Sequence, residues 1–226
     1  MNGPLSLLSS DPVLFVLLAV SLLAALTLHE FGHAYAADLQ GDRLPRAMGR
    51  VSLNPVRHLD PLGTIFILLV GFGWGKPVEF RPEALSSRRF GAALVALAGP
   101  GMNLLLALAG AFLLRIVADP ATEAAVRGIL DGTFFGQVNL SPLARFAFLF
   151  TSINVLLAVF NLIPLPPLDG SRLLTIFLPP NKQKVVFWLD RWGFLVLIGL
   201  LVFGGFALLN PIFDAVGRIV FSLAGF

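Results

Sequence analysis

Apolar residues in this 226-residue chain gather in long unbroken runs rather than at helical or strand spacing. Residues 13–28 form a charge-free run of 16, 91–114 one of 24, 146–168 one of 23, and 192–213 one of 22. A helix needs about 20 such residues to cross the roughly 30 Å hydrocarbon layer of a bilayer. The runs therefore predict membrane-spanning helices. Ser9, Ser10 and Asp11 before Pro12 make a strong helix start, and the first span should continue past residue 28 to about Ala37. Residues 61–75 are apolar but short, with Gly71, Gly73 and Gly75, and 211–226 read as a short, weakly amphipathic helix around Arg218. The predicted fold is an all-α polytopic membrane protein, a bundle of about five to six transmembrane helices. It includes a short re-entrant segment at 61–75 and a small β edge at 77–80. No internal repeat is visible.

Charge orders these elements across the membrane. Residues 1–11 hold no Lys or Arg, whereas Arg43, Arg46, Arg50 and Arg57 precede the 61–75 segment and Lys76, Arg81, Arg88 and Arg89 come after it. Cytoplasmic loops collect such residues, so both flanks face inward and 61–75 dips in and returns. The 116–142 loop, with Asp119, Glu123 and Asp131 against Arg127, suits the outside. Arg172, Lys182, Lys184 and Arg191 return to the inside. The N-terminus is then outside.

Composition agrees with lipid as the solvent. The chain is 57% hydrophobic and 13% charged, about half the charge of an ordinary soluble domain. The net charge of +3 would suggest nucleic acid in a soluble protein, but the basic residues are accounted for by the inward loops, and no nucleic-acid partner is expected. The first apolar run lacks a basic leader and feeds directly into His29 and Glu30, so it is expected to stay rather than be cleaved as a signal peptide. With no cysteine in the chain, any transition metal must be held by His, Asp or Glu, and there are three histidines.

Two of the three stand in His29-Glu30-Phe31-Gly32-His33. The i, i+4 spacing puts both imidazoles on one helical face, one turn apart, where they can share a tetrahedral zinc. Glu30 is offset by about 100°, close enough to reach a metal-bound water without being a ligand. An ionisable residue in a span costs about 2.5–3.5 kcal/mol, so three together require compensation. A third protein ligand is needed. Asp169 comes after the Pro-rich break Pro164-Leu165-Pro166-Pro167-Leu168, where non-helical backbone at membrane depth would line a cavity; Asp169-Gly170 is equally common turn chemistry. His58 reads as a loop histidine and Glu79 as a solvated or paired carboxylate.

The motif His29-Glu30-Phe31-Gly32-His33, with Asn161-Leu162-Ile163-Pro164-Leu165-Pro166-Pro167-Leu168-Asp169-Gly170 much later in the chain, resembles the site-2 proteases, which cut within membranes. Leu53-Asn54-Pro55, His58-Leu59-Asp60-Pro61-Leu62-Gly63-Thr64 and Ala98-Gly99-Pro100-Gly101-Met102-Asn103-Leu104 are similar to the compact prokaryotic branch without a PDZ domain. The resemblance covers about residues 22–175. It implies one Zn2+ per chain held by His29, His33 and Asp169, with Glu30 as the catalytic base. It also implies that Asn161 orients the site or binds substrate backbone, a role that competes with plain helix–helix hydrogen bonding. Asn103 matches a family position too, and there the helix–helix role is favoured.

The expected protein is thus a single intramembrane metalloprotease domain over 1–226, with a catalytic core at about 12–180 and C-terminal helices at about 185–226. It would sit as a multi-pass protein of the cell membrane, with its active site opening toward the cytoplasm. Its partners are the lipid bilayer and a membrane-protein substrate with a transmembrane helix, cut in regulated intramembrane proteolysis. The alternatives are a membrane metal transporter, which would need further ionisable residues in other spans, and a non-proteolytic membrane scaffold.

Overall fold

The structure, a computed structural model, describes residues 4–70, 73–131, 140–177 and 183–226. Its principal helices are α1 (Pro12–Leu39), α2 (Pro61–Val70), α3 (Arg88–Val117), α4 (Pro120–Leu130), α5 (Pro142–Asn161), α6 (Gly170–Phe177), α7 (Gln183–Val202) and α8 (Asn210–Leu223). Among the described residues no strand is formed, and three helices, α1, α3 and α5, are long and apolar enough to cross a membrane. The protein is an all-α, multi-pass membrane protein.

Local sequence explains where the helices begin. α1, α4 and α5 all start with proline behind a capping side chain. Asp11 accepts from Leu14 N at 2.9 Å, Asp119 from Thr122 N at 2.7 Å, and Ser141 from Ala144 N at 3.3 Å. Each cap satisfies a first-turn N–H that the helix cannot, and proline has no N–H to lose there. Asp11 also accepts from Arg145 Nη2 at 2.7 Å, joining the start of α1 to α5.

The three long helices meet along stripes of small and polar residues. On α3 the buried positions include Gly99, Asn103, Ala107, Gly110, Ala111 and Leu114; on α5, Ala144, Ala147, Thr151, Asn154 and Ala158; on α1, Ser21, Ala25, His29, Gly32 and His33. Small residues at three- and four-residue spacing let backbones approach, which is how helices associate in lipid. A Cβ on Gly110 would lie 2.6 Å from Thr151 Oγ1, and one on Gly32 would lie 2.8 Å from Ala98 O. Away from the histidines, Ala107, Ala111, Leu114, Ala144, Ala147, Val155 and Val159 pack with Val126 of α4 and with Val220 and Phe221 of α8.

Between α1 and α3 the chain forms a hairpin about α2. Leu59 and Gly75 make an isolated antiparallel bridge, and Lys76 N donates to His58 O at 2.7 Å, so the segment leaves and returns at one place. A Cβ on Gly63 would meet Trp74 O at 2.0 Å, and one on Gly73 would meet Gly63 O at 2.1 Å. The two limbs are therefore in glycine-only contact. At ten residues α2 is about 15 Å long, half a bilayer core. Gly71, in the expected re-entrant stretch, lies outside the described residues, as does Lys182. Buried Arg50 donates to the carbonyls of Arg57 and Lys76 and fastens the hairpin's base.

Three expectations need correcting. The β edge at 77–80 is not formed: the bridge falls at Gly75 instead, and Pro77 and Pro82 remove backbone donors from the 77–82 stretch. The 116–142 stretch is not simply loop, because α4 occupies its first half, signalled by Asp119-Pro120 with Glu123 in its first turn and Arg127 in its last. The apolar run 192–213 is not one helix. α7 stops at Val202, and Gly204 takes φ +80°, the left-handed conformation that ends helices.

Candidate metal centre

His29 and His33 lie in the second half of α1, both buried. Each ring is held through Nδ1: His29 faces Asn103 Oδ1 on α3 at 2.6 Å, and His33 faces the Val95 carbonyl at 2.7 Å. A carbonyl can only accept, so Nδ1 of His33 carries a proton, and in the neutral ring Nε2 holds the lone pair. The two Nε2 atoms are 3.1 Å apart. They fit under α3 because residue 99 is glycine: a Cβ there would lie 2.3 Å from His33 Nε2 and 2.7 Å from His29 Cε1.

Asp169 arrives from the turn between α5 and α6. Its Oδ2 is 3.1 Å from His29 Nε2 and 3.2 Å from His33 Nε2. The turn is held on both sides of the carboxylate. Leu165 and Leu168 are buried with Phe160 and Leu197. A Cβ on Gly170 would lie 2.2 Å from Leu162 O, so the chain after Asp169 folds tightly back on the end of α5. Gly193 of α7 in turn sits against Pro166, where a Cβ would meet Pro166 O at 2.6 Å.

With both rings neutral and protonated on Nδ1, the two Nε2 lone pairs face a buried carboxylate oxygen that no other group hydrogen-bonds. Acceptors at 3.1–3.2 Å without a proton between them repel, and a cation among them removes the conflict. A tetrahedral zinc with bonds of about 2.0–2.1 Å spaces its ligand atoms about 3.3 Å apart, close to the triangle seen here. The donor set, two imidazoles and one carboxylate, suits zinc and leaves a fourth position free. Among the described residues this is the one cluster of His, Asp and Glu with metal-ligand spacing.

Glu30 sits beside this triangle and faces the hairpin: a Cβ on Gly75 would be 3.2 Å from Glu30 Oε1 and 3.3 Å from the His58 carbonyl. The return limb of the hairpin thus runs directly over the carboxylate.

The remaining candidates stand apart. His58 is buried, with Nε2 against Ser52 O at 2.7 Å, and works as an internal brace of its loop rather than as a loop-surface histidine. Burial, reinforced by the charge of Arg50, holds its imidazole below its ordinary pKa despite the Ser52 contact. Glu79 is exposed. Asn161 donates to Leu157 O of its own helix at 3.0 Å, while the amide facing a metal-site histidine is that of Asn103. Asn154, which bonds Asn103, does not stand out in the sequence at all. The available signal is an amide inside each of two charge-free runs, each needing a partner in lipid.

A multi-pass helical membrane protein that gathers two buried imidazoles and a partly buried carboxylate beside Glu30 has the site of a membrane-embedded metalloenzyme. Comparison with known proteins specifies it further: the model of peptidase family M50 matches residues 17–200, and the chain belongs to that family. It is 37% identical to "Putative zinc metalloprotease YwhC" of Bacillus subtilis, over 82% of this chain and 80% of that one. It is 32% identical to "Putative zinc metalloprotease Rip2" of Mycolicibacterium smegmatis, over 89% of this chain and 75% of the relative. No solved structure matches.

Proposed function

We propose that this chain is an intramembrane zinc metalloprotease in which His29 Nε2, His33 Nε2 and Asp169 Oδ2 hold one zinc ion and Glu30 is the catalytic base. The observation that carries the reading is the convergence of those three ligand atoms at 3.1–3.2 Å from one another. Zinc bound there would lower the pKa of a water to near 7 and polarise the scissile carbonyl. Glu30 takes the water's proton on a carboxylate oxygen and delivers it to the leaving amine. Asn103 and the Val95 carbonyl keep the two rings in place, so that little reorganisation is left for the reaction itself.

The substrate is a membrane protein, cut within or near a transmembrane helix in regulated intramembrane proteolysis. A helix hides its carbonyls in its own hydrogen bonds, so the cut segment must unwind to reach Glu30. The site opens to the cytoplasmic side of the cell membrane. His33 is six residues from the end of α1, about 9 Å, and Arg43, Arg46 and Arg81 gather at that same end, with Arg57 and Lys76 in the segments that follow. There Asp38 is bonded by Arg46 at 2.7 and 2.9 Å and by Arg43 at 3.1 Å, and Asp42 by Arg81 at 2.8 Å. The catalytic core, about 12–180, and the helices of about 185–226 form one domain, a reading supported by Gly193 and Leu197 against the Asp169 turn.

Glu30→Gln tests this reading against transport and scaffolding. It should abolish cleavage of a reconstituted transmembrane peptide while one zinc per chain stays bound. Cleavage at the wild-type rate in that variant would reject Glu30 as the base.

A further inference from the structure

Two amides buried in the bundle determine which nitrogen of His29 carries its proton. The Phe150 and Ala25 carbonyls can only accept. The amide end of Asn154 that lies 2.8 Å from Phe150 O must therefore be NH2. Its other end, Oδ1, faces Asn103 at 2.7 Å, so that end of Asn103 is also NH2; it lies 3.3 Å from Ala25 O as well. The atom left to Asn103 is its oxygen, which meets His29 Nδ1 at 2.6 Å. A neutral imidazole has one N–H, and here that N–H is on Nδ1. Nε2 is left with its lone pair, directed at His33 Nε2 and Asp169 Oδ2.

We infer that Asn154, acting through Asn103, is a positioning residue that locks His29 in the Nδ1–H tautomer and aims its Nε2 into the metal site. Both asparagines have no exposed surface, so no water competes for either amide. Without Asn154, Asn103 is fixed by the longer 3.3 Å bond to Ala25 O alone and can turn its NH2 toward the ring. That flip would favour the opposite tautomer and put the proton where the metal belongs. His33 needs no such relay, because a main-chain carbonyl cannot flip. The pair links α1, α3 and α5, and the bond that joins α3 to α5 is the same one that leaves the Asn103 oxygen for His29.

The inference rests on His29 being a zinc ligand, and the test separates the two claims. The full-length chain, labelled with 15N-histidine and stripped of metal in bicelles, reports by NMR which ring nitrogen bears the proton. Zinc affinity is then read by chelator competition and geometry by the cobalt(II) absorption spectrum. Wild type should show His29 with Nδ1–H alone. Asn154→Leu should show mixed tautomers and a zinc Kd about three- to tenfold weaker, and Asn103→Leu one about 10- to 100-fold weaker, the usual range for a lost partner of a ligating histidine. Asn103→Asp restores an acceptor for Nδ1 but cannot donate to Asn154 or Ala25. It should keep the tautomer, the cobalt spectrum and a Kd within about threefold of wild type, even as Tm falls. A pure Nδ1–H signal and unchanged Kd in Asn154→Leu would overturn the inference. So would an Asn103→Asp protein as impaired in zinc binding as Asn103→Leu, and this second comparison decides the matter if Asn154→Leu does not fold. If His29→Ala leaves zinc affinity unchanged, the ligand assignment fails instead, while the tautomer signal still judges the relay.

Discussion

Along α3, one buried stripe runs from Gly99 to Leu114, and its two ends do different work. At the Gly99–Asn103 end the helix faces His29 and His33 with a missing side chain and an amide. At the Ala107–Leu114 end it faces Ala144, Ala147 and Val155 with methyl groups. One end gives up apolar packing to let two imidazoles and a carboxylate share a small space. The other supplies the packing that holds α3, α5 and α8 together. In lipid, where apolar contact gains nothing from leaving water, both ends depend on close approach, but only the first is shaped by chemistry.

If the two ends differ in this way, substitutions should separate chemistry from stability. The largest effect is expected at Gly99→Ala, whose Cβ would overlap His33 Nε2. Cleavage should fall at least about 100-fold with weaker zinc binding, because a displacement of about 1 Å is enough for such a loss. A variant with wild-type turnover and zinc Kd would show that the close approach is unimportant. At the other end, Ala111→Leu should cost about 1–3 kcal/mol in unfolding stability while each folded chain still binds one zinc; loss of zinc from a protein that remains folded would erase the distinction. Gly75→Ala sharpens it within the site. The new methyl group presses on Glu30 but not on His29, His33 or Asp169, so cleavage should drop about tenfold with zinc content unchanged. Parallel losses of zinc and activity would contradict that separation.

The smallest effect concerns the loop that closes the site end of the bundle. Burial alone would raise the Asp42 carboxyl, but the Arg81 and Leu44 N–H groups and the Arg81 guanidinium outweigh it and hold the pKa below the ordinary value. A depressed carboxylate pKa stabilises the fold above the unfolded value of about 3.9, and that contribution is lost as pH falls through the folded one. With Arg81 half-exposed, Asp42→Asn should cost about 1–2 kcal/mol at pH 7. The gap to wild type should then close in acid below about pH 4, and thermal unfolding at pH 7 and pH 3 checks this. A gap that widens in acid would refute it.

Much of this architecture is legible in the sequence. Unbroken apolar runs mark α1, α3 and α5, and His29, Glu30 and His33 announce themselves by spacing alone. Asp169 needs the family motif, because Pro-Pro-Leu-Asp-Gly reads equally well as a turn; its placement depends on Gly170 folding against Leu162, a contact between residues eight apart that no local pattern encodes. Asn154, and the contact of Asn103 with His29, are hidden for a similar reason. Their partners lie 74 and 51 residues away, and an amide in a span looks the same whether it joins two helices or orients a ligand. Asn161 stands out by its place before the Asp169 turn, where Asn154 does not, and its amide bonds Leu157 O of its own helix. The break at Gly204 is obscured by a charge-free run that continues through it.

Zinc content measured by mass spectrometry on purified wild type and Asp169→Ala tests the central claim most directly. One zinc per wild-type chain, and far less than one in the variant under the same chelator challenge, is the expected result. Equal zinc in both proteins would mean that the metal is held without Asp169, and the three-atom site described here would be wrong.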